Sequence, residues 1–265
     1  MYRGWRYLVR AYSRCHLTCP LDKLPALSGL AKVYRRHLKD DYLAGLWRGD
    51  LLRGMLWHRV GVSEHEPALT EYRAPSWSWA SVDGPVSHIG GFSRLADLIF
   101  DRAEVLDAVI DAAGPNNTGL LRGGYIRLAG ELHQVCFVDR PGAQFASDFQ
   151  LTVKEDGAGS PRMHLEYVGP VFSPTPLIRL QHSTDTMKWN DQFFLMPLLG
   201  YSSGFFDIIG IVLRTSDMEP GTHVKVGTFT SSTDHWQTLT AQAASPEREY
   251  YEDKDEKGRF IVKIV

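Results

Sequence analysis

The feature that most constrains this chain is a change of hydrophobic period near residue 65. Before it, apolar side chains recur every three or four residues; after it they alternate one by one. The first pattern buries one side of a helix and the second buries one face of a strand. Trp5, Leu8, Val9 and Tyr12 fall on one helical side, with Arg3, Arg6, Arg10 and Arg14 opposite, and this helix is expected to stop before Pro20. Asp22 then reads as an N-cap, with Pro25 in the first turn and Leu24, Leu27, Ala31, Tyr34 and Leu38 as the buried stripe of a second helix. A third helix is expected from Asp41, with Tyr42, Leu43, Leu46 and Trp47 on its apolar side. Gly49 breaks it and Asp50 caps a last turn carrying Leu51, Met55 and Leu56.

Beyond Glu64-His65-Glu66-Pro67 come short runs rich in Val, Ile, Phe and Tyr, among them SWSWASV, EVLDAVI, YIRLAGEL, FFLMPLL, DIIGIVLR, HVKVGTF and RFIVKIV, parted by Gly, Pro, Asn and Asp. Such punctuation predicts an antiparallel sandwich or barrel. The expected fold is therefore α+β and mainly β: a helical layer over 1–64, too small to fold alone, packed on an antiparallel β-domain over 65–265. The stretches 157–161 and 232–249 are expected to be exposed loops.

Composition narrows the class. With 43% hydrophobic and 23% charged residues, the 265-residue chain has the make-up of a globular protein. A net charge of -2 is unlike that of a dedicated nucleic-acid or anionic-membrane binder. The odd cysteine count (Cys15, Cys19, Cys136) suits a reducing compartment. No apolar run approaches the ~18 residues of a membrane span, and MYRGWRYLVRAYSR has no signal-peptide core. A cytoplasmic protein without nucleic-acid or membrane partners is expected, and the sequon at Asn116 is then a plain loop.

Individual motifs favour structure over chemistry. Gly200-Tyr201-Ser202-Ser203-Gly204 spells a nucleophile elbow, which needs a strand before it and a helix after it. Here both flanks alternate like strands, so a hairpin turn is the better reading even though Asp217 or Asp234 and then His235 keep the chain order of a triad. Cys15, His16 and Cys19 make half of a zinc site with no second pair, and Cys136, between Val135 and Phe137, reads as core. Asp40, Asp41, Asp97, Asp101, Asp107 and Asp111 read as solvated carboxylates, and Gly90-Gly91 and Gly123-Gly124 as turns without a phosphate loop. No cofactor or metal is expected.

The aromatic pair Trp77 and Trp79 is more informative. Two residues apart in a strand, both indoles share a face, as a wedge of core or as the wall of an apolar pocket. Asp83 and His88 follow that strand, while Tyr125 and Tyr201 are placed at strand ends, where barrel mouths open. These four are the candidate catalytic groups, and Trp77 and Trp79 the candidate substrate-binding groups.

The segments DKLPALSGLAK (22–32), DYLAGLWRGDLLRGMLW (41–57) and above all YRAPSWSWASVDGPV (72–86) resemble the region that follows the HET domain in fungal heterokaryon-incompatibility proteins. FLMPLLG, IIGIVLRT and DEKGRFIVKIV are weaker echoes of it. The resemblance implies a fungal intracellular protein. In that family the HET domain precedes this region and is associated with triggering cell death, whereas this sequence starts about twenty residues before the first matching segment. No HET residue carries over, and the death-inducing activity is not expected.

Two functions remain open. One is a cofactor-independent small-molecule cyclase of secondary metabolism, a Diels–Alderase-like pericyclase that folds an apolar substrate into a reactive conformer and steadies developing charge with one or two hydrogen-bond donors. The other is a non-catalytic interaction or regulatory module, reaching a protein partner through the arginine-rich first helix. An apolar cavity beside Trp77 and Trp79 would favour the first; a domain filled by its own side chains would favour the second.

Overall fold

The computed structural model describes residues 1–60, 71–89, 99–114, 117–137, 149–155, 161–167, 177–180, 192–201, 208–216, 218–241 and 245–265. Asn116, Glu64–Pro67, Gly90-Gly91, Asp97, Ser202–Gly204 and Asp217 lie outside the described residues. The chain is α+β and mainly β.

Helix α1 (Tyr2–Tyr12) buries Trp5 and Val9, with Leu8 and Tyr12 partly covered, which is the stripe its period predicts. The second helix starts later than expected. Two 3₁₀ turns, Pro20–Lys23 and Pro25–Leu27, precede α2 (Ser28–Leu38), and Leu27 rather than Asp22 holds the N-cap position. Two prolines within six residues remove donors that a continuous helix would use.

The expected third helix over 41–47 is instead a hairpin, β1 (Tyr42–Leu43) against β2 (Leu46–Trp47). Ala44 (φ 48°) and Gly45 (φ 92°) occupy the left-handed region together, as a two-residue hairpin turn requires. All four apolar residues are buried, but across a hairpin rather than along a helix. The turn tip decides it: the Gly45 carbonyl accepts from Trp5 Nε1 (2.8 Å) and from Trp79 Nε1 (3.0 Å). A Cβ on Gly45 would lie 2.5 Å from that Trp79 nitrogen, so only glycine fits. A 3₁₀ turn (Arg48–Asp50) then leads into α3 (Leu51–Gly54), where Asp50 does take the N-cap position.

The SWSWASV segment is not a strand. After β3 (Trp57–Arg59), Ser78 caps a 3₁₀ turn (Trp79–Ser81), its hydroxyl accepting from Ala80 N at 3.0 Å and donating to the Ala44 carbonyl at 2.5 Å. Ser76 stitches two remote strands, donating through its hydroxyl to the Val265 carbonyl and accepting from Lys225 N at 2.8 Å. Serine side chains that satisfy backbone groups locally compete with ladder pairing. The chain resumes as β4 (Val86–His88), antiparallel to β3.

The remaining strands are β5 (Ile99–Asp101), β6 (Glu104–Ala112), β7 (Leu121–Gly130), β8 (His133–Phe137), β9 (Phe149–Glu155), β10 (Pro161–Tyr167), β11 (Leu177–Leu180), β12 (Phe193–Tyr201), β13 (Ile208–Thr215), β14 (Thr222–Ser231), β15 (Asp253–Lys254) and β16 (Phe260–Ile264). They form one sheet in the order β11-β9-β10-β8-β12-β13-β14-β16-β7-β6. Pairing is antiparallel except between β8 and β10 and between β14 and β16. Strand β11 also pairs with β14, so part of the sheet curls back on itself. The sheet as a whole is not a closed barrel: β16, β7 and β6 continue from β14, and β6 is the last strand of that order among the described residues. Helix α4 (Thr233–Thr240), capped by Ser232, occupies a stretch expected to be loop.

Strands β12 and β13 are buried on both faces, which is why they read as near-continuous apolar runs. Phe194, Met196, Leu198, Ile209, Ile211 and Leu213 face the helical layer in one core with Trp5, Trp47, Trp57, Trp77 and Trp79. The opposite face carries Leu195, Val212 and Phe229, and Trp236 of α4 stacks on Phe229 at 5.2 Å between ring centroids. Among the described residues no helix is long and apolar enough to cross a membrane.

Candidate functional site

The six nominated residues do not converge. Trp77 and Trp79 are both 0% exposed and lie in the core between the layers. The Trp77 carbonyl accepts from Trp57 Nε1 at 2.9 Å, and Trp79 packs edge-on against Tyr12. Asp83 sits beside this block in a clip: it accepts from Arg73 Nη1 at 2.8 Å and lies 3.8 Å from Lys23 Nζ. Burial, reinforced by Arg73 and opposed by Asp83, lowers the Lys23 pKa to about 7. Arg73 also donates to the Ala80 and Pro20 carbonyls, so the clip holds three segments together.

His88 is interior, paired across the ladder with Trp57. Burial, with Arg6, His58 and Lys225 nearby, pushes its pKa down to about 3, a backbone contact at Gly54 opposing weakly. It is a neutral imidazole at ordinary pH. Tyr125 lies mid-strand in β7 rather than at an end, donating to Asp107 Oδ2 at 3.0 Å, and that bond raises its pKa. Tyr201 does end β12; burial raises its pKa, with Arg53 and Arg6 near enough to lower it in part. Trp77 and His88 share Trp57, Trp79 and Asp83 share Lys23, and His88 and Tyr201 share Arg6, but Tyr125 stands apart with Asp107.

Two other features are better formed. The first is a cleft of about 410 Å³ where the helical layer meets the sheet, lined by Arg48, Asp50 and Arg53 from one side and Asp101, Glu104 and Arg259 from the other. Arg53 Nη2 lies 3.4 Å from Asp101, and Arg259 bridges Glu104 (2.5 Å) and Asp255 (2.6 Å). Arg48 donates to the Ala108 carbonyl at 2.8 Å, which also occupies an acceptor on β6, the last strand of the sheet order. Asp50 is buried and ion-paired with Arg6. Burial raises its pKa, and the Arg6 guanidinium partly offsets that. This also corrects the arginine face of α1: Arg6 turns inward to Asp50 and Arg10 is half-buried, leaving Arg3 and Arg14 exposed.

The second feature is charge segregation. Residues 1–39 hold nine Lys and Arg against one acidic residue, Asp22, in a chain whose net charge is -2. Helices α1 and α2 pack together through Trp5 and Tyr34, whose ring centroids are 5.2 Å apart. Arg3, Arg14, Lys32, Arg35, Arg36 and Lys39 are exposed on this layer, with Tyr7, Leu30 and Val33 each 44–47% exposed among them. This asymmetry was countable in the sequence; the cleft was not, because its arginines come from segments some 200 residues apart.

Among the described residues no three His, Cys, Asp or Glu side chains gather as a metal would need, and Cys15 and Cys19 are exposed free thiols. No protein-family model, no curated protein and no solved structure matches this chain.

Proposed function

We propose that this chain is a non-catalytic interaction module, of the kind that follows the HET domain in heterokaryon-incompatibility proteins, and that its basic helical layer docks an acidic protein surface. The charge segregation carries this reading. Of the nine basic residues in the first 39 positions, Arg6 and Lys23 are turned inward beside Asp50 and Asp83; the other seven give the helical layer a mostly one-signed face, while the rest of the chain is acidic on balance. Such a face steers an oppositely charged partner, and the apolar side chains among the charges supply contact area once it arrives. The packing of Trp77 and Trp79 supports it from the other direction. Both indoles are fully buried in core contacts and neither lines the described cleft, which favours the module over the cyclase. Free thiols at Cys15 and Cys19 suit an intracellular setting.

The test measures binding of a fluorescent peptide rich in Glu and Asp by anisotropy, beside anionic vesicles and duplex DNA as alternative polyanions. The peptide is expected to bind in a salt-dependent manner and to lose affinity by about tenfold or more in Arg10→Glu/Arg14→Glu/Arg36→Glu. Preference for vesicles or DNA would replace the partner class. Acceleration of ring closure in a linear polyene precursor, unaffected by those reversals, would restore the cyclase.

A further inference from the structure

We propose that the cleft beneath α3 is a binding site for a small dianion, a dicarboxylate or a phosphate monoester, gripped between Arg48 and Arg53 of the helical layer and Arg259 of the sheet. A cavity of about 410 Å³ is of small-molecule size, and it opens at the seam between the two layers. Guanidinium groups present planar, paired donors that match carboxylate and phosphate oxygens better than any other side chain.

The existing partners of these arginines leave that capacity in reserve. Arg53 meets Asp101 through one contact of 3.4 Å, and the Asp101 side chain is 53% exposed. Arg48 is held in place by the Ala108 carbonyl, while its contact to Asp41 is 3.5 Å, on a carboxylate 56% exposed. Both acids can turn to water when a better oxyanion arrives. Arg259 is more fully engaged, by Glu104 and Asp255; it turns donors to a ligand only as Glu104, whose side chain is 54% exposed, gives way. Asp50, the buried carboxylate of the lining, is matched by Arg6 and so leaves no uncompensated negative charge to repel the ligand. Asp101 and Glu104 are the competitors a dianion must displace, and this sets the test.

Binding would tie the helical layer to the sheet. A ligand that recognises only the folded form raises the melting temperature as its concentration passes Kd. Thermal melts and calorimetry at low ionic strength are run with succinate, with glycerol phosphate, and with chloride at matched ionic strength. One of the two dianions is expected to stabilise the chain beyond the chloride control, and which one does so assigns the ligand class. Asp101→Asn removes a competing carboxylate and is expected to tighten binding several-fold. Arg53→Gln is expected to weaken it at least about tenfold; should that variant fail to fold, Arg48→Gln carries the same expectation. Equal shifts with chloride, or unchanged affinity in both arginine variants, overturn the proposal. The site is separate from the docking face, so Arg10→Glu/Arg14→Glu/Arg36→Glu must leave dianion binding intact.

Discussion

Two of the places where the helical layer meets the sheet are built on opposite principles. At Trp77–Trp79 the seam is dry. Indoles fill it, Trp5 and Trp79 both donate to the Gly45 carbonyl, Trp57 donates to the Trp77 carbonyl, and Ser76 and Ser78 donate to Val265 and Ala44. At Arg48–Arg53 the seam is charged, and a cleft remains. Large rings can be packed to interior density; here the Trp5, Trp57 and Trp79 nitrogens find fixed carbonyls, while those of Trp47 and Trp77 are buried without a partner among the described residues. Guanidinium and carboxylate groups keep part of their hydration and stand off from one another. One seam therefore holds the layer on, and the other leaves room for a ligand.

The sharpest way to break this contrast is to empty the dry seam. Trp79→Ala removes a 0% exposed indole, opens a cavity and leaves the Gly45 carbonyl with one donor fewer. Losses of about 3–5 kcal/mol accompany such truncations. A urea midpoint shifted by less than about 1 kcal/mol would show that the layer is anchored elsewhere.

Acid separates the seams next. His88 has a folded pKa near 3 against 6.5 unfolded, and His223, also buried, is near 4. Both bind a proton more readily when unfolded, so the stability they allow is complete above pH 6.5 and is lost as pH falls through that window. Glu131, bonded to His133 and Arg102, is lowered to about 2 and adds a further loss below its unfolded value of 4.5. His88→Phe keeps a ring of similar size and removes one titration. Between about pH 4 and 5.5 the slope of stability against pH should fall by up to about 1.4 kcal/mol per pH unit. An unchanged slope in chemical denaturation would mean that His88 is not buried neutral.

The legibility of the chain follows the same division. The period of α1, the strand runs of β12 to β14 and the β-rich class were readable because burial on a fixed face leaves a periodic trace. The β1–β2 hairpin was not, since Tyr42, Leu43, Leu46 and Trp47 fit either one side of a helix or a hairpin. The choice is made by Trp79 reaching the turn carbonyl from 34 residues away. Trp77 and Trp79 are buried core, one of the two roles their spacing allowed, but their strand was not real, because serine hydroxyls took over the backbone bonds. Asp83, His88, Tyr125 and Tyr201 were joined by nearness in sequence or by supposed strand ends, neither of which implies nearness in space. Arg259 could not be matched to Arg53 by any pattern, since Arg53 lies on a single-turn helix and Arg259 between strands, neither segment long enough to leave a period.

The smallest expected effect tests whether the charged seam contributes stability at all. Asp101 is 53% exposed and touches Arg53 at a single 3.4 Å contact. Exposed pairs of this geometry are worth about 0–1 kcal/mol, because what Coulomb attraction provides is offset by hydration and side-chain entropy. Asp101→Asn keeps the shape and removes the charge, so without added ligand its unfolding free energy should match the parent within about 0.5 kcal/mol. With a bound dianion the same variant should be the more stable of the two, since the carboxylate that competes for Arg53 is gone. The sign therefore depends on the ligand. A loss above about 1 kcal/mol in its absence would instead make the Arg53–Asp101 pair a structural tie between the layers, and the contrast between a holding seam and a receptive one would fail at that residue.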